Sequence, residues 1–120
     1  MIQLAANAMM GATLAVAITL IGRSSFAYLA GLLPLFPCFA LYAHFAAFNA
    51  GGVESLKPVV AFGLISLIAY AAYLCCLLLL ADHLKFSGTI LSAIALWTVT
   101  AGSLIGLWNR FDLEAQLFIE

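Results

Sequence analysis

The fold of this chain is decided by residues 58–81, which read PVVAFGLISLIAYAAYLCCLLLLA and contain no charged side chain. A helix needs about 20 apolar residues to cross the ~30 Å hydrocarbon core of a bilayer, and this run is long enough. Three more apolar runs occupy about 4–22, 26–48 and 87–108. The runs do not alternate as membrane strands do, and an open sheet edge cannot face lipid. Each run is therefore predicted to be a transmembrane helix.

Composition agrees with a membrane chain. Of the 120 residues, 67% are hydrophobic and 8% are charged, with a mean hydropathy of +1.20. Soluble domains are about half apolar and a quarter charged. Only short turns and a tail, 109–120, lie outside the runs, so we expect a single domain over 1–120. Short turns force neighbouring helices to run antiparallel. The predicted fold class is an all-α membrane protein with four transmembrane helices in an up-down bundle.

The basic residues are evenly shared between the two sides of the membrane. Arg23, Lys57, Lys85 and Arg110 each follow one span, which puts two on each side. Lys and Arg in loops orient a membrane protein, so an equal count favours insertion in both orientations. We therefore expect an antiparallel (dual-topology) homodimer; the alternative is a fixed orientation set by other features. The net charge of −1 and the lack of a basic arm argue against a nucleic-acid partner.

The fourth span carries small residues at alternating spacings of four and three. This 3.5-residue period is typical of a left-handed helix crossing, and small residues let membrane helices approach closely. We expect this seam to form the dimer interface; packing within its own bundle is the alternative. The seam consists of Gly88, Ser92, Ala95, Val99, Gly102 and Gly106.

The second span contains two prolines near its middle, Pro34 and Pro37. Each lacks a backbone N–H and obstructs the carbonyl four residues earlier, which frees the carbonyls of Ala30 and Leu33. A freed carbonyl in hydrocarbon costs several kcal/mol unless it is paired. Transporters use such broken helices as binding sites. Two interpretations stay open: a break that faces a ligand, or a kink satisfied by Ser and Thr hydroxyls of neighbouring helices.

His44 is the titratable imidazole within a span, seven residues after Pro37. A membrane-embedded His is a candidate ligand contact or proton relay; the alternative is a neutral His bonded to a hydroxyl of the third span. Such hydroxyls occur at i, i+4 and i+7 on one face. The candidate ligand-binding set is therefore Pro34, Pro37, His44, Ser66, Tyr70 and Tyr73.

The sequence lacks the residue patterns of several kinds of catalytic and metal-binding site. No Asp or Glu lies within the core of a span, and no Ser-His-Asp set or phosphate-binding loop is present. Cys38, Cys75 and Cys76 lie inside spans and lack the spacing of zinc ligands. We therefore expect no catalytic residues, no metal and no cofactor, and we do not expect an enzyme. Without a buried carboxylate, a transported substrate should be neutral, amphipathic or lipid-like.

Two segments carry a family resemblance. Residues 30–44 read AGLLPLFPCFALYAH and residues 52–57 read GVESLK. They resemble the patterns AGL-x-PLFP-x-FAL-x-AH and G-[IV]-E-x-L-[KR] of the GlpM-like family of small bacterial inner-membrane proteins. The acidic tail, 112–120, extends past the expected end of family members.

The resemblance implies a multi-pass protein of the bacterial inner membrane. It also implies an association with membrane-bound glycerol-3-phosphate dehydrogenase and, in pseudomonads, with exopolysaccharide (alginate) production. Two functions are therefore predicted. The first is a transporter-like protein whose two inverted copies enclose the candidate site. The second is a non-transporting accessory protein that supports a membrane enzyme of glycerol phosphate metabolism. Membrane lipid and a second copy of the chain are the other expected partners.

Overall fold

The computed structural model describes residues 1–23, 25–35 and 37–118. No strand occurs within these ranges, so the predicted all-α class is confirmed. The chain divides into two compact units, Met1–Leu41 and Tyr42–Glu120, and each is described by itself. The elements are α1 (Ile2–Gly22), α2 (Ala27–Leu32), a 3₁₀ turn (Leu33–Leu35), α3 (Cys38–Leu80), α4 (Phe86–Arg110) and α5 (Leu113–Phe118).

Three of the helices are long and apolar enough to cross a membrane, namely α1, α3 and α4. The first and fourth predicted spans, 4–22 and 87–108, correspond to α1 and α4 within two residues at each end. Membrane-spanning helices are thus confirmed. The count of four spans stays a prediction. The second and third predicted spans, 26–48 and 58–81, correspond to α2, the 3₁₀ turn and the single long helix α3.

The second predicted span, 26–48, is not one continuous helix. Its first part is α2, which ends at Leu32, and the 3₁₀ turn follows before α3 begins at Cys38. The interruption lies at Pro34 and Pro37, where two backbone donors are missing. The proline-induced break is therefore present at the predicted place.

The 43-residue helix α3 contains a second interruption. Gly51 (φ −160°, ψ 24°) and Gly52 (φ 66°, ψ −148°) are not helical. They divide α3 into a short arm, 38–50, and a long arm, 53–80. This interruption lies just after the second predicted span, 26–48.

The predicted start of the third helix at Pro58 is wrong, because the long arm is already helical from residue 53 and contains Pro58. The physical reason is that Pro58 removes only the hydrogen bond to the carbonyl of Glu54, at the polar end of the arm, where water can replace it.

The long arm and α4 form an antiparallel helical hairpin. At the turn, the Leu80 carbonyl accepts hydrogen bonds from the backbone N–H groups of His83 and Leu84, both at 3.0 Å. At the opposite end, the rings of Phe62 and Trp108 meet edge to face, with centroids 5.3 Å apart. From Phe62 to Leu80 the arm extends about 27 Å at 1.5 Å per residue. These two contacts place both ends of this stretch of the long arm beside α4.

The interior of this hairpin is made of small side chains. Among the residues whose side chains the structure describes, only Ala69, Thr89 and Ala93 are buried. Thr89 donates its hydroxyl to the Lys85 carbonyl at 3.2 Å and lies 3.4 Å from the Leu80 carbonyl. Large apolar side chains are instead exposed along the helices, as expected where lipid surrounds the protein.

Candidate functional site

The break in the second apolar run is built by its two prolines. Pro34 is the central residue of the 3₁₀ turn. Pro37 precedes α3, and its carbonyl accepts the first hydrogen bond of that helix from the Leu41 N–H at 2.9 Å. The carbonyls of Ala30 and Leu33 face positions that carry no N–H, so neither can form its usual helical bond. The 3₁₀ turn, whose hydrogen bonds join residues three apart, replaces the α-helical pattern at this point.

Hydroxyl groups were the predicted alternative partners for these carbonyls. Thr13 and Thr19 in α1 donate to the carbonyls of Met9 and Ala15, each at 2.8 Å. Ser66 in the long arm donates to the Gly63 carbonyl at 2.7 Å. Each of these three hydroxyl hydrogens is therefore used within its own helix, which leaves only the oxygen lone pairs for another group.

His44 lies on the less exposed side of the short arm. Ala40, His44 and Ala47, at i, i+4 and i+7, are half-buried, whereas Phe45, about 100° around the helix from His44, is exposed. In the described ranges no hydrogen bond joins the imidazole to the hydroxyls predicted as its partners, those of Ser66, Tyr70 and Tyr73.

The predicted polar stripe of the third span lies on the half-buried side of the long arm. Ser66, Tyr70 and Tyr73 are all half-buried. The rings of Tyr70 and Tyr73 stack, with centroids 6.0 Å apart and planes inclined by 19°. The structure brings these two tyrosines together; a shared site with Pro34, Pro37 and His44 stays a prediction.

The small-residue seam of α4 lies away from the hairpin contact. Ala95, Val99, Gly102 and Gly106 are exposed, while Gly88 and Ser92 are half-buried. A methyl group built on Gly102 or Gly106 would meet no atom within 4 Å. At about 100° per residue, the seam is centred roughly 140° around α4 from buried Ala93. The long arm therefore does not cover the seam.

Sequence reasoning missed Thr89, whose hydroxyl lies between the ends of two helices. A threonine at the first turn of a helix, next to Gly88, is an ordinary feature, and only the turn geometry shows its role. No group of three or more potential metal ligands occurs in the described part of the chain. The three cysteines are free, and Cys75 is exposed on the long arm.

These features define a class: a small multi-pass membrane protein, all helical, with a proline-broken apolar segment and a separate exposed seam. A family model described as GlpM protein matches residues 6–112. The chain belongs to this GlpM family, and the resemblance seen in residues 30–44 and 52–57 is confirmed. It is a multi-pass protein of the inner membrane.

Individual relatives agree with this assignment. Membrane protein GlpM of Pseudomonas aeruginosa is 37% identical over 104 residues, which cover 87% of this chain and 95% of that protein. Inner membrane protein YdgC of Escherichia coli K12 is 32% identical over 104 residues, with 87% and 94% covered. YdgC of Shigella flexneri gives the same values. No solved structure matches the chain.

Proposed function

We propose that the chain is a transporter-like membrane protein that handles a neutral, amphipathic or lipid-like small molecule. The observation that carries this proposal is the interruption of the second apolar run between Leu32 and Cys38. Carbonyls that lack their i+4 donors in an apolar segment favour a water-filled or ligand-filled space beside them. His44 and the polar stripe of the long arm, Ser66, Tyr70 and Tyr73, are proposed to contribute the other polar contacts.

We propose four membrane spans per chain. A continuous helix of 43 residues would be about 64 Å long, roughly twice the thickness of the hydrocarbon. The glycine break at Gly51–Gly52 divides α3 where Asn49, Glu54 and Lys57 provide polar flanks. Residues 27–50 would then form the second passage, and the long arm the third.

We propose that two chains pair antiparallel through the α4 seam. The equal number of basic residues on the two sides supports insertion in both orientations. The exposure of Gly102 and Gly106, with space above both, supports close approach of a helix from another chain. A fixed orientation with the seam against another protein is the competing arrangement.

The proposed substrate class follows from charge. The carboxylates are at Glu54, Asp82 and Asp112 and further along the tail, outside the apolar runs. A cationic substrate within the membrane would need a fixed negative charge close by. The carbonyls, hydroxyls and imidazole proposed for the site instead suit an uncharged molecule with hydroxyl or amide groups.

Two native cysteines allow a direct test of a water-accessible site. Cys38 is half-buried beside the break, whereas Cys75 is exposed on the long arm, roughly 8 Å along the helix from its end at Leu80. Two variants each retain one of these cysteines and carry alanine at the other two cysteine positions. The purified variants are reconstituted in vesicles and treated with a charged, water-soluble thiol reagent. We expect modification of Cys38 and not of Cys75. An unreactive Cys38 in a folded protein would contradict the proposed site.

The second candidate function is the non-transporting accessory protein. The exposed α4 seam favours it, since the same surface can bind a helix of a different membrane protein, such as the predicted glycerol-3-phosphate dehydrogenase partner. Replacing His44 with Ala separates the two candidates. It should abolish the cellular phenotype of a transporter and leave that of an accessory protein intact.

A further inference from the structure

The chain turns away from the axis of α4 directly after that helix ends. The Phe111 N–H still donates to the Leu107 carbonyl at 3.1 Å. Asp112 then adopts φ 46°, the left-handed conformation that commonly terminates a helix. The short helix α5 begins at Leu113. Residues 111–118, here named the tail segment, therefore do not extend α4 into water.

Two hydrogen bonds form within the tail segment, directly after the end of α4. The Gln116 side-chain amide donates to the Phe111 carbonyl at 3.1 Å, and the Gln116 N–H donates to the Asp112 carbonyl at 3.1 Å. The first bond satisfies a carbonyl that the end of α4 leaves without a helical partner. Leu113 and Ala115 are half-buried, and α5 contacts α4. The segment is thus folded against the helix end.

Two large apolar side chains of the tail segment are exposed near the end of α4. Phe111 is 53% exposed and Leu117 is 56% exposed. They lie within nine residues of Trp108 and beside Arg110, and Trp is enriched where hydrocarbon meets headgroups. These exposed apolar side chains follow directly on the end of α4, where Leu107 is also exposed.

We propose that the tail segment lies in the interfacial layer of a zwitterionic phospholipid membrane, with Phe111 and Leu117 inserted at the boundary of headgroups and acyl chains. After Arg110 the ionisable side chains of the chain are all acidic, namely Asp112, Glu114 and Glu120. Acidic residues provide no attraction to an anionic lipid surface, so the apolar side chains supply the binding. The family match ends at residue 112, so this contact is an addition to the shared domain.

Depth measurements with spin labels test this proposal. The full chain, with its three native cysteines replaced by alanine, receives one label at Leu117→Cys and is reconstituted in phosphatidylcholine vesicles. Asp82→Cys, in the exposed turn, is the aqueous reference, and Ile68→Cys, exposed near the middle of the long arm, is the deep reference. Collision rates with oxygen and with a water-soluble nickel complex report the depth of each label.

The label at Leu117 should be several-fold less accessible to the nickel complex than the label at Asp82. It should also be shallower than the label at Ile68. A Leu117 label as accessible as the one at Asp82 would overturn the proposal, as would a depth equal to that of Ile68. Phe111→Cys provides a second site with the same expected depth, so a local distortion at one position does not decide the result.

Discussion

Replacing Gly52 with alanine tests whether α3 is divided at this residue. A divided helix should lose free energy of unfolding, whereas a continuous helix should gain it. Gly52 has φ 66° and ψ −148°, a region open essentially to glycine alone. Alanine there is strained by about 1–3 kcal/mol. A methyl group at this position meets nothing within 4 Å, so the backbone alone determines the effect. Alanine also reduces the conformational entropy of the unfolded chain, and this offsets the strain by roughly 0.4–1 kcal/mol.

The net expectation is a decrease of about 1–2 kcal/mol in the free energy of unfolding. If α3 were instead one continuous helix, the same change would increase stability by about 0.8–1 kcal/mol, because alanine is the better helix former. Reversible unfolding of the purified protein in mixed micelles, followed by circular dichroism, measures the difference. An increase in stability would refute the glycine break between the short and long arms.

Gly51 provides a control with a different cause. Its φ of −160° is accessible to any residue, but an added methyl group would meet Ser55, whose Cβ lies 3.1 Å away and whose Oγ is closer. Gly51→Ala should therefore destabilise through this contact. Removing the hydroxyl with Ser55→Ala should recover part of the loss at Gly51 and none of the loss at Gly52. Equal recovery at both positions would show that the backbone explanation for Gly52 is wrong.

Three further changes test the packing of the hairpin and the seam. Thr89→Val removes a hydroxyl bonded to the Lys85 carbonyl and should lower the free energy of unfolding by about 0.5–1.5 kcal/mol; no loss in a micelle titration would show that the bond is unimportant. A double-mutant cycle with Phe62→Leu and Trp108→Leu should give a coupling of about 0.5–1.5 kcal/mol from the edge-to-face rings, and zero coupling would argue against this register. Gly102→Leu should convert dimers to monomers in light scattering, whereas Gly63→Leu, at a comparably open site on the long arm, should not; equal effects would exclude the seam as the interface.

Much of the fold can be predicted from the sequence because local chemistry determines it. The apolar runs predict the helices α1 and α4 closely, since hydrocarbon requires every backbone group to be paired within a helix. Pro34 and Pro37 predict the first interruption, and Gly51–Gly52 the second, because each changes the backbone directly. The start of the long arm is less predictable, because Pro58 is tolerated near a polar helix end.

Packing is harder to predict than the helices themselves. Lipid and protein interiors are equally apolar, so hydropathy does not distinguish the face of α4 that contacts the long arm from the face that carries the seam. Burial of Ala69 and Ala93 distinguishes them in the structure. In the candidate site, the stacking of Tyr70 on Tyr73 follows from their i, i+3 spacing. The local hydrogen bond of Ser66 depends on a rotamer that the sequence does not specify.

The central claim is that the chain inserts in both orientations and forms an antiparallel pair. Fusing reporters after Glu120 measures this directly, with one reporter active only in the cytoplasm and the other only in the periplasm. The balance of Arg23 and Lys85 against Lys57 and Arg110 predicts comparable signals from both reporters. Adding one Lys beside Lys85 should then shift the signal toward a single side. A signal from one reporter alone in the unmodified chain would contradict the account.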